Sequence, residues 1–546
     1  MDIPSLFMIP SAVSSGKVHS VFPNSTDADF DFNRDSDATR VNSEGLIERV
    51  GYYGSELITN GSFDTDSNWT KGTGTTILGG KANFSSATGV SLYQNIGTQS
   101  GTVKVTFSIT NYTSGTLNVY SGGNQSVGTI NVTANAIGDY LVLVDRSGGN
   151  NNIIFGSSNS FTGSIDNVSV KEVTGDRARL NYEIEGGLVN TKPSLLLEPQ
   201  STNLFPYSND YTQSNWNKAD VTITENAGIS PENLNNASKM VVSSASAFAY
   251  IYDSLTSSSS IHTISAFVKA DGRNIVWLYI ASGSSNGTIY FDLSDESIQV
   301  VAGSGATPTG TITAFPNDWY RITYTTGSAI SFTGGSGLGI SDAKGNLSAT
   351  VDGTNGVLIY GLQIEQQSYA TSHIPTNGST QTRSGETCNG AGTSSILPSE
   401  EGILYCEIAA LADDLTNRTI AINDGTTSNT VRIQYLTISN AIWATVTNIG
   451  AGGNQAILQY TSLDITNNTK VALQYKANDF SLFVNGIKVA TDSSGATFSA
   501  NTLNTLQFDR GNGAEDFYGK IRDIRVYNTK EMTDSEVDIL LTKITS

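Results

Sequence analysis

Cysteine, histidine, positive charge and long apolar runs are the scarce features of this chain. Two cysteines, Cys388 and Cys406, are too few for a disulfide framework, so stability must come from packed cores. Cys406 falls in the alternating run Ile403-Leu-Tyr405-Cys406-Glu-Ile408, which reads as a strand holding a buried free thiol, with one bridge to Cys388 left open. Three histidines, His19, His262 and His373, stand isolated in sequence and give that pair no partners for a metal. The 30 Lys and Arg against 50 Asp and Glu leave a net charge of -20, which excludes a nucleic-acid partner, whose phosphates demand a basic surface. The same balance argues against anionic membranes and strongly anionic polysaccharides as ligands, and is read as keeping a large β protein soluble. No apolar run reaches membrane-spanning length, so no membrane insertion is expected. The start, MDIPSLFMIPSAVSSG, has no basic stretch and carries Pro4 and Pro10, so it does not qualify as a secretory signal. Release by lysis or a dedicated assembly route is the resulting expectation.

What is present is the chemistry of strands and turns. Gly (54 residues), Ser, Thr, Asn, Val and Ile dominate, while charged residues make up only 15%, the mix of short strands joined by tight turns. The fold class is all-β, and 546 residues imply roughly three or four domains. Residues 1–53 form a framework piece containing FDFNRDSDATRVNSEGLIERV, and residues 174–202 return to it through Pro193-Ser-Leu-Leu-Leu-Glu198. Their charge density (Arg34, Asp35, Arg40, Glu44, Glu48, Arg49, then Asp176, Arg177, Arg179, Glu183, Glu198) points to ion-paired packing between the two halves, or to a docking surface for a neighbouring subunit.

Between and after these pieces lie β-rich blocks at 54–173, 203–385 and 386–546. The first two open alike (Asn60-Gly-Ser-Phe63-Asp64…Trp69; Asn203-Leu-Phe205…Trp216) and close alike (Ile165-Asp166-Asn-Val168; Leu362-Gln363-Ile364-Glu365), an internal repeat of two sandwiches. In the third block, Phe480-Ser-Leu482-Phe-Val484, Asn485-Gly486 and Ile487-Lys-Val489 spell a two-residue hairpin. Thr533 with Glu536 three residues on completes a capping box for one short terminal helix.

The hairpin LFVNGIKV and the ending GKIRDIRVYNTKEMTDSEVDIL resemble the last strands and terminal helix of the laminin-G-like/concanavalin-A-like lectin superfamily. The openings NGSFD…NW and NLF…NW, with the endings IDNVSVKE and GLQIE, resemble carbohydrate-binding-module jelly rolls. The pair ATRVNSEGLIERV and PSLLLEPQSTNL, with the start PSLFMIPSAVSSGKVHSVFP, resembles tailed-bacteriophage virion proteins of the tail-fibre and structural kind. Together these resemblances imply a virion component, assembled in the host cytoplasm and released by lysis. Its expected partners are other virion subunits, host cell-surface glycans and further copies of itself as a homo-oligomer. Lectin-like folds also serve as spacers, so the fold transfers more safely than the sugar binding.

Sugar rings stack on exposed aromatic planes while amides and carboxylates bond their hydroxyls. Val276-Trp277-Leu278-Tyr279-Ile280 puts Trp277 and Tyr279 on one strand face, and Tyr250 and Tyr252 share the same spacing. These four either line a glycan platform or are core. Jelly rolls of the carbohydrate-binding type often carry a structural Ca2+ where first and last strands meet. Asn60 or Asp64 with Asp166 fits in the first sandwich and Asn203 with Gln363 and Glu365 in the second, against a reading as solvated strand ends; Asp523 with Glu515 or Asp516 is a further set in the third. Trp69, Trp216 and Trp319 read as structural. No His-rich metal motif or phosphate loop appears, and the catalytic set is none. The expected function is therefore a non-enzymatic phage structural protein with lectin-like modules. A decoration protein without ligand and a secreted bacterial adhesin or polysaccharide-binding accessory are the alternatives.

Overall fold

Alternating apolar residues become strands along the whole chain. The computed structural model describes residues 3–51, 53–97, 102–121, 133–146, 151–173, 177–244, 248–280 and 287–546. Among them one α-helix occurs, Asp534–Thr545, and everything else regular is strand or 3-10 turn. The helix starts as its sequence demands: Glu536 N donates to the Thr533 side chain, and Thr533 N donates to Glu536 Oε2 at 2.8 Å. The Asn485-Gly486 hairpin likewise forms, with φ of 47° and 83°, between Asp479–Val484 and Ile487–Asp492.

In the first sandwich, the strand Asn152–Val173 pairs along residues 152–165 with Ala82–Asn95. On its other side it pairs first with Leu117–Ser121 and then with Thr102–Ser114. Bulges between Phe84 and Leu92 bend this pair, so one hydrogen-bonded network wraps a core containing Trp69, Phe107, Phe155 and Phe161. The second sandwich is two six-stranded sheets. Trp216, Ile251, Val276, Leu278, Phe291, Leu338 and Ile364 fill the space between them. The two blocks repeat a local device: Trp69 Nε1 donates to Asn60 O and Trp216 Nε1 to Tyr207 O, both at 2.9 Å and both nine residues back. Each indole also packs on a phenylalanine, Phe63 at 5.4 Å and Phe205 at 4.8 Å. Trp319 is buried as well.

The framework pieces do not stand apart. Leu6–Met8 pairs with the C-terminal strand Gly519–Asn528, as does Ser194–Leu197, which in turn pairs with Arg179–Asn181. Phe30–Asn33 pairs with Thr387–Asn389. Leu6, Met8, Phe30, Leu195 and Leu197 therefore share one core with Leu404, Cys406, Leu473 and Val526. The C-terminal sandwich is an eight-stranded sheet, completed by Leu6–Met8, Arg179–Asn181 and Ser194–Leu197, over a five-stranded one. Both cysteines are buried and free.

Where the framework, the second sandwich and the C-terminal sheet meet, a buried ionic network closes the joint. Arg179 binds Glu386 through Nε at 2.9 Å and through Nη2, and Glu198 through Nη1 at 2.6 Å. Arg34 donates to Glu386 at 3.0 Å, and Arg383 lies 3.0 Å from Glu198. Burial opposes the charge on Glu198, yet Arg179 and Arg383 hold its carboxyl down at about 2. Arg40 pairs with Glu48, Arg49 with Asp37, and Glu183 with Lys520 and Arg522. These ion pairs run within each framework half, from both halves to Glu386, and to the C-terminal sheet, and the expected Asp176 lies outside the described residues. Glu386 and Arg383, which complete the network, lie outside the stretches whose charge density drew notice.

Candidate functional site

The aromatic face of the second sandwich follows from strand alternation. Val276, Leu278 and Ile280 point into the core, so Trp277 and Tyr279 must point out. Tyr250 and Tyr252 do the same two strands away. Between them runs Ile330–Ser341, whose Gly339 is opposite both Tyr250 and Trp277 and whose Gly337 is opposite both Tyr252 and Tyr279. The glycines are required there: a Cβ at Gly339 would overlap the Trp277 ring, and one at Gly335 would come within 2.7 Å of Tyr252. The rings gather over this bare backbone. Tyr250 stacks on Tyr252 at 5.3 Å and 25°, and lies 5.5 Å from Trp277 and 5.9 Å from Tyr279.

Depth separates the four. Trp277 is 3% exposed and Tyr279 8%, sealed by Tyr290, Ile275, Leu347 and the two outer tyrosines. Neither presents a free ring face to solvent, which corrects their expected role as platform residues. Tyr250 and Tyr252 are half-buried and form the open rim. Tyr290 was missed because nothing in its own strand marks it; the alternating glycines of Gly334-Gly-Ser-Gly-Leu-Gly339 are the signal that a flat aromatic layer lies above.

The expected Ca2+ sets meet a different fate. Asn203, Gln363 and Glu365 are fully buried. Glu365 accepts from Ser201 Oγ at 2.6 Å, Gln363 Nε2 at 2.6 Å, Thr371 N at 3.0 Å and Thr371 Oγ1. Asn203 Oδ1 accepts from Phe205 N and Ile364 N, and Gln363 Oε1 from Ile374 N. Every oxygen a cation would need is filled by N–H or O–H donors, so these residues form a hydrogen-bonded plug; that ligand set is corrected. Burial raises the Glu365 carboxyl above its ordinary range.

In the first sandwich the opening segment does meet the closing strand, with Val168 N donating to Gly61 O at 3.0 Å. The Asn60 amide, however, donates to the Thr65 and Ser67 carbonyls at 2.6 and 2.9 Å. Asp64 accepts from Ser62 and Asp166 from Asn167 N, each at 2.7 Å. Asp523 pairs with Arg525 and Glu515 with Arg510, while Asp516 accepts from the Tyr518 hydroxyl. Among the described residues no group of three or more His, Cys, Asp or Glu is placed to hold a metal.

The outer face of the five-stranded sheet is polar: Thr419, Gln434 and Trp443 align across it, as do Arg432 and Thr445. Arg432 donates to Thr447 Oγ1 at 3.0 Å. Burial, with Arg510 nearby, lowers its pKa to about 10. Thr419, Arg432, Gln434 and Thr445 are nonetheless buried, and Trp443 is only half-exposed.

Residues 410–538 match the concanavalin A-like lectin/glucanases superfamily. No curated protein matches the chain. Among solved structures, the CBM40 of Ruminococcus gnavus IT-sialidase bound to α2,3-sialyllactose is 16% identical, with 28% of this chain and 93% of that chain covered and a TM-score of 0.23. The same module bound to α2,6-sialyllactose is 17% identical, covering 29% and 88%, with a TM-score of 0.24.

Proposed function

We propose that this chain is a non-enzymatic attachment protein of a bacteriophage particle, whose lectin-like sandwiches bind glycans on the host surface. The observation that carries the glycan reading is the stacked, half-open Tyr250–Tyr252 pair, held over a glycine floor and backed by Trp277 and Tyr279. Such a layer offers a rigid apolar plane to the C–H face of a sugar at little entropic cost. The lectin-type match at 410–538 supports the same class of ligand. The particle reading rests on the framework motifs ATRVNSEGLIERV and PSLLLEPQSTNL, and carries with it association with other virion subunits and with further copies of the chain.

A ligand-free decoration protein is the second reading, favoured by the burial of Trp277 and Tyr279. A bacterial adhesin is compatible with the same modules. An antibody raised to residues 386–546, viewed by electron microscopy on intact particles, separates these. Label at the tail tip supports attachment, label spread over the head favours decoration, and unlabelled particles with an accessible epitope contradict a virion role.

A further inference from the structure

A cavity of about 630 Å³ lies where the framework, the first sandwich and the second sandwich converge. It belongs to none of the surfaces described above. The hairpin Thr39–Val41/Ile47–Arg49 reaches it from one side, Ile47 N donating to Pro231 O at 2.9 Å. The first sandwich reaches it from another, Asn226 Nδ2 donating to the Tyr140 hydroxyl at 2.9 Å.

Its wall holds buried polar atoms that find no partner among the described residues. His373 is 2% exposed, and neither of its ring nitrogens makes a hydrogen bond. Thr376 Oγ1, Asn236 Oδ1 and Arg49 Nε are unpartnered as well, and all four residues line this one cavity. Buried polar groups are nearly always satisfied, so such a concentration calls for an occupant that bonds them. Burial, reinforced by Arg321 and Arg49, keeps His373 neutral by lowering its pKa to about 3, so the imidazole offers one donor and one acceptor.

Charge selects the occupant. Asp37, Asp139, Asp210, Glu225 and Glu232 line the cavity against the single cation Arg49. Glu225 is hydrogen-bonded to Asp210, and burial together with that contact pushes its carboxyl up. An anionic ligand is repelled by this wall. Carboxylates, amides and a neutral imidazole beside the rings of Tyr140 and Tyr360 are the set that satisfies many hydroxyls at once, and the volume falls in the range of small-molecule sites. We infer that the three-way junction is a binding site for a neutral mono- or disaccharide, separate from the tyrosine face.

Titration calorimetry of the full chain with D-glucose, D-galactose and N-acetyl-D-glucosamine tests this, with His373→Phe, Glu225→Gln and the double variant Tyr250→Ala/Tyr252→Ala alongside. Millimolar or tighter binding of at least one sugar is expected. Glu225→Gln, which keeps the side-chain shape, and His373→Phe, which keeps the contacts with Phe267 and Tyr360, should each weaken it at least about tenfold. The tyrosine variant should leave it unchanged. No binding by any of the three sugars overturns the inference. So does binding that Glu225→Gln leaves intact and the tyrosine variant abolishes, and so does a sugar-soaked crystal whose cavity holds only water.

Discussion

Arg179 is the residue on which most of the architecture converges. It is fully buried and spans Glu386 and Glu198, which lie on segments far apart in sequence. Burial alone disfavours its charge, but the two carboxylates hold its pKa above the ordinary arginine value. Removing one partner of a buried set strands the others, so Arg179→Leu is expected to cost about 3–5 kcal/mol in urea unfolding of the intact chain. The acid limb should change too. A depressed carboxylate stabilises the fold above its unfolded pKa, and that contribution is lost as pH falls toward its folded value, about 2 for Glu198. Losing Arg179 raises the folded value, so the variant should begin to lose stability at higher pH than the parent. The charges of Arg179 and Glu198 were legible as a cluster against a charge-poor background. Their partner Glu386 was not, since no local pattern links positions 207 residues apart. The tyrosine face divides in the same way. Alternation told that Trp277 and Tyr279 share one strand face but not whether that face is core, and their depth is set by Tyr290 and Leu347, which come from other strands and loops.

Elements whose cause is local could be read directly. The capping box of Asp534–Thr545 and the Asn485-Gly486 hairpin each depend on a few adjacent residues, and both form. The completion of the C-terminal sheet could not be read this way. Leu6–Met8 pairs with Ile524–Val526 across more than 500 positions, and Ser194–Leu197 covers the rest of the same edge. The block at 386–546 taken by itself therefore lacks one side of its strand Gly519–Asn528. Expressed alone, that fragment exposes an unpaired edge and a core missing Leu6, Met8, Leu195 and Leu197. Size-exclusion chromatography should find it aggregated, whereas a polypeptide that also carries residues 1–53 and 174–202 should elute as a discrete species. A soluble 386–546 fragment with cooperative unfolding would contradict the shared core.

At the scale of the molecule, the chain threads out of its C-terminal sandwich to build two further sandwiches and returns to it after each. The joint is closed by buried ions rather than by a flexible linker, which ties the sandwiches to one another. The net charge of -20 sets a repulsive background for anionic surfaces. The repeated Trp–Phe device and matching strand endings show that the two inserted blocks solve the same folding problem, although only the second carries the Tyr250–Tyr252 layer. Glycan recognition through that layer is tested by an array of bacterial surface polysaccharides, followed by equilibrium titration of the ligands it selects. Binding by the parent chain that falls at least about tenfold in Tyr250→Ala/Tyr252→Ala, with unchanged thermal unfolding, is the predicted result. Equal affinity of parent and variant for every selected polysaccharide, or no binding to any of them, would contradict it.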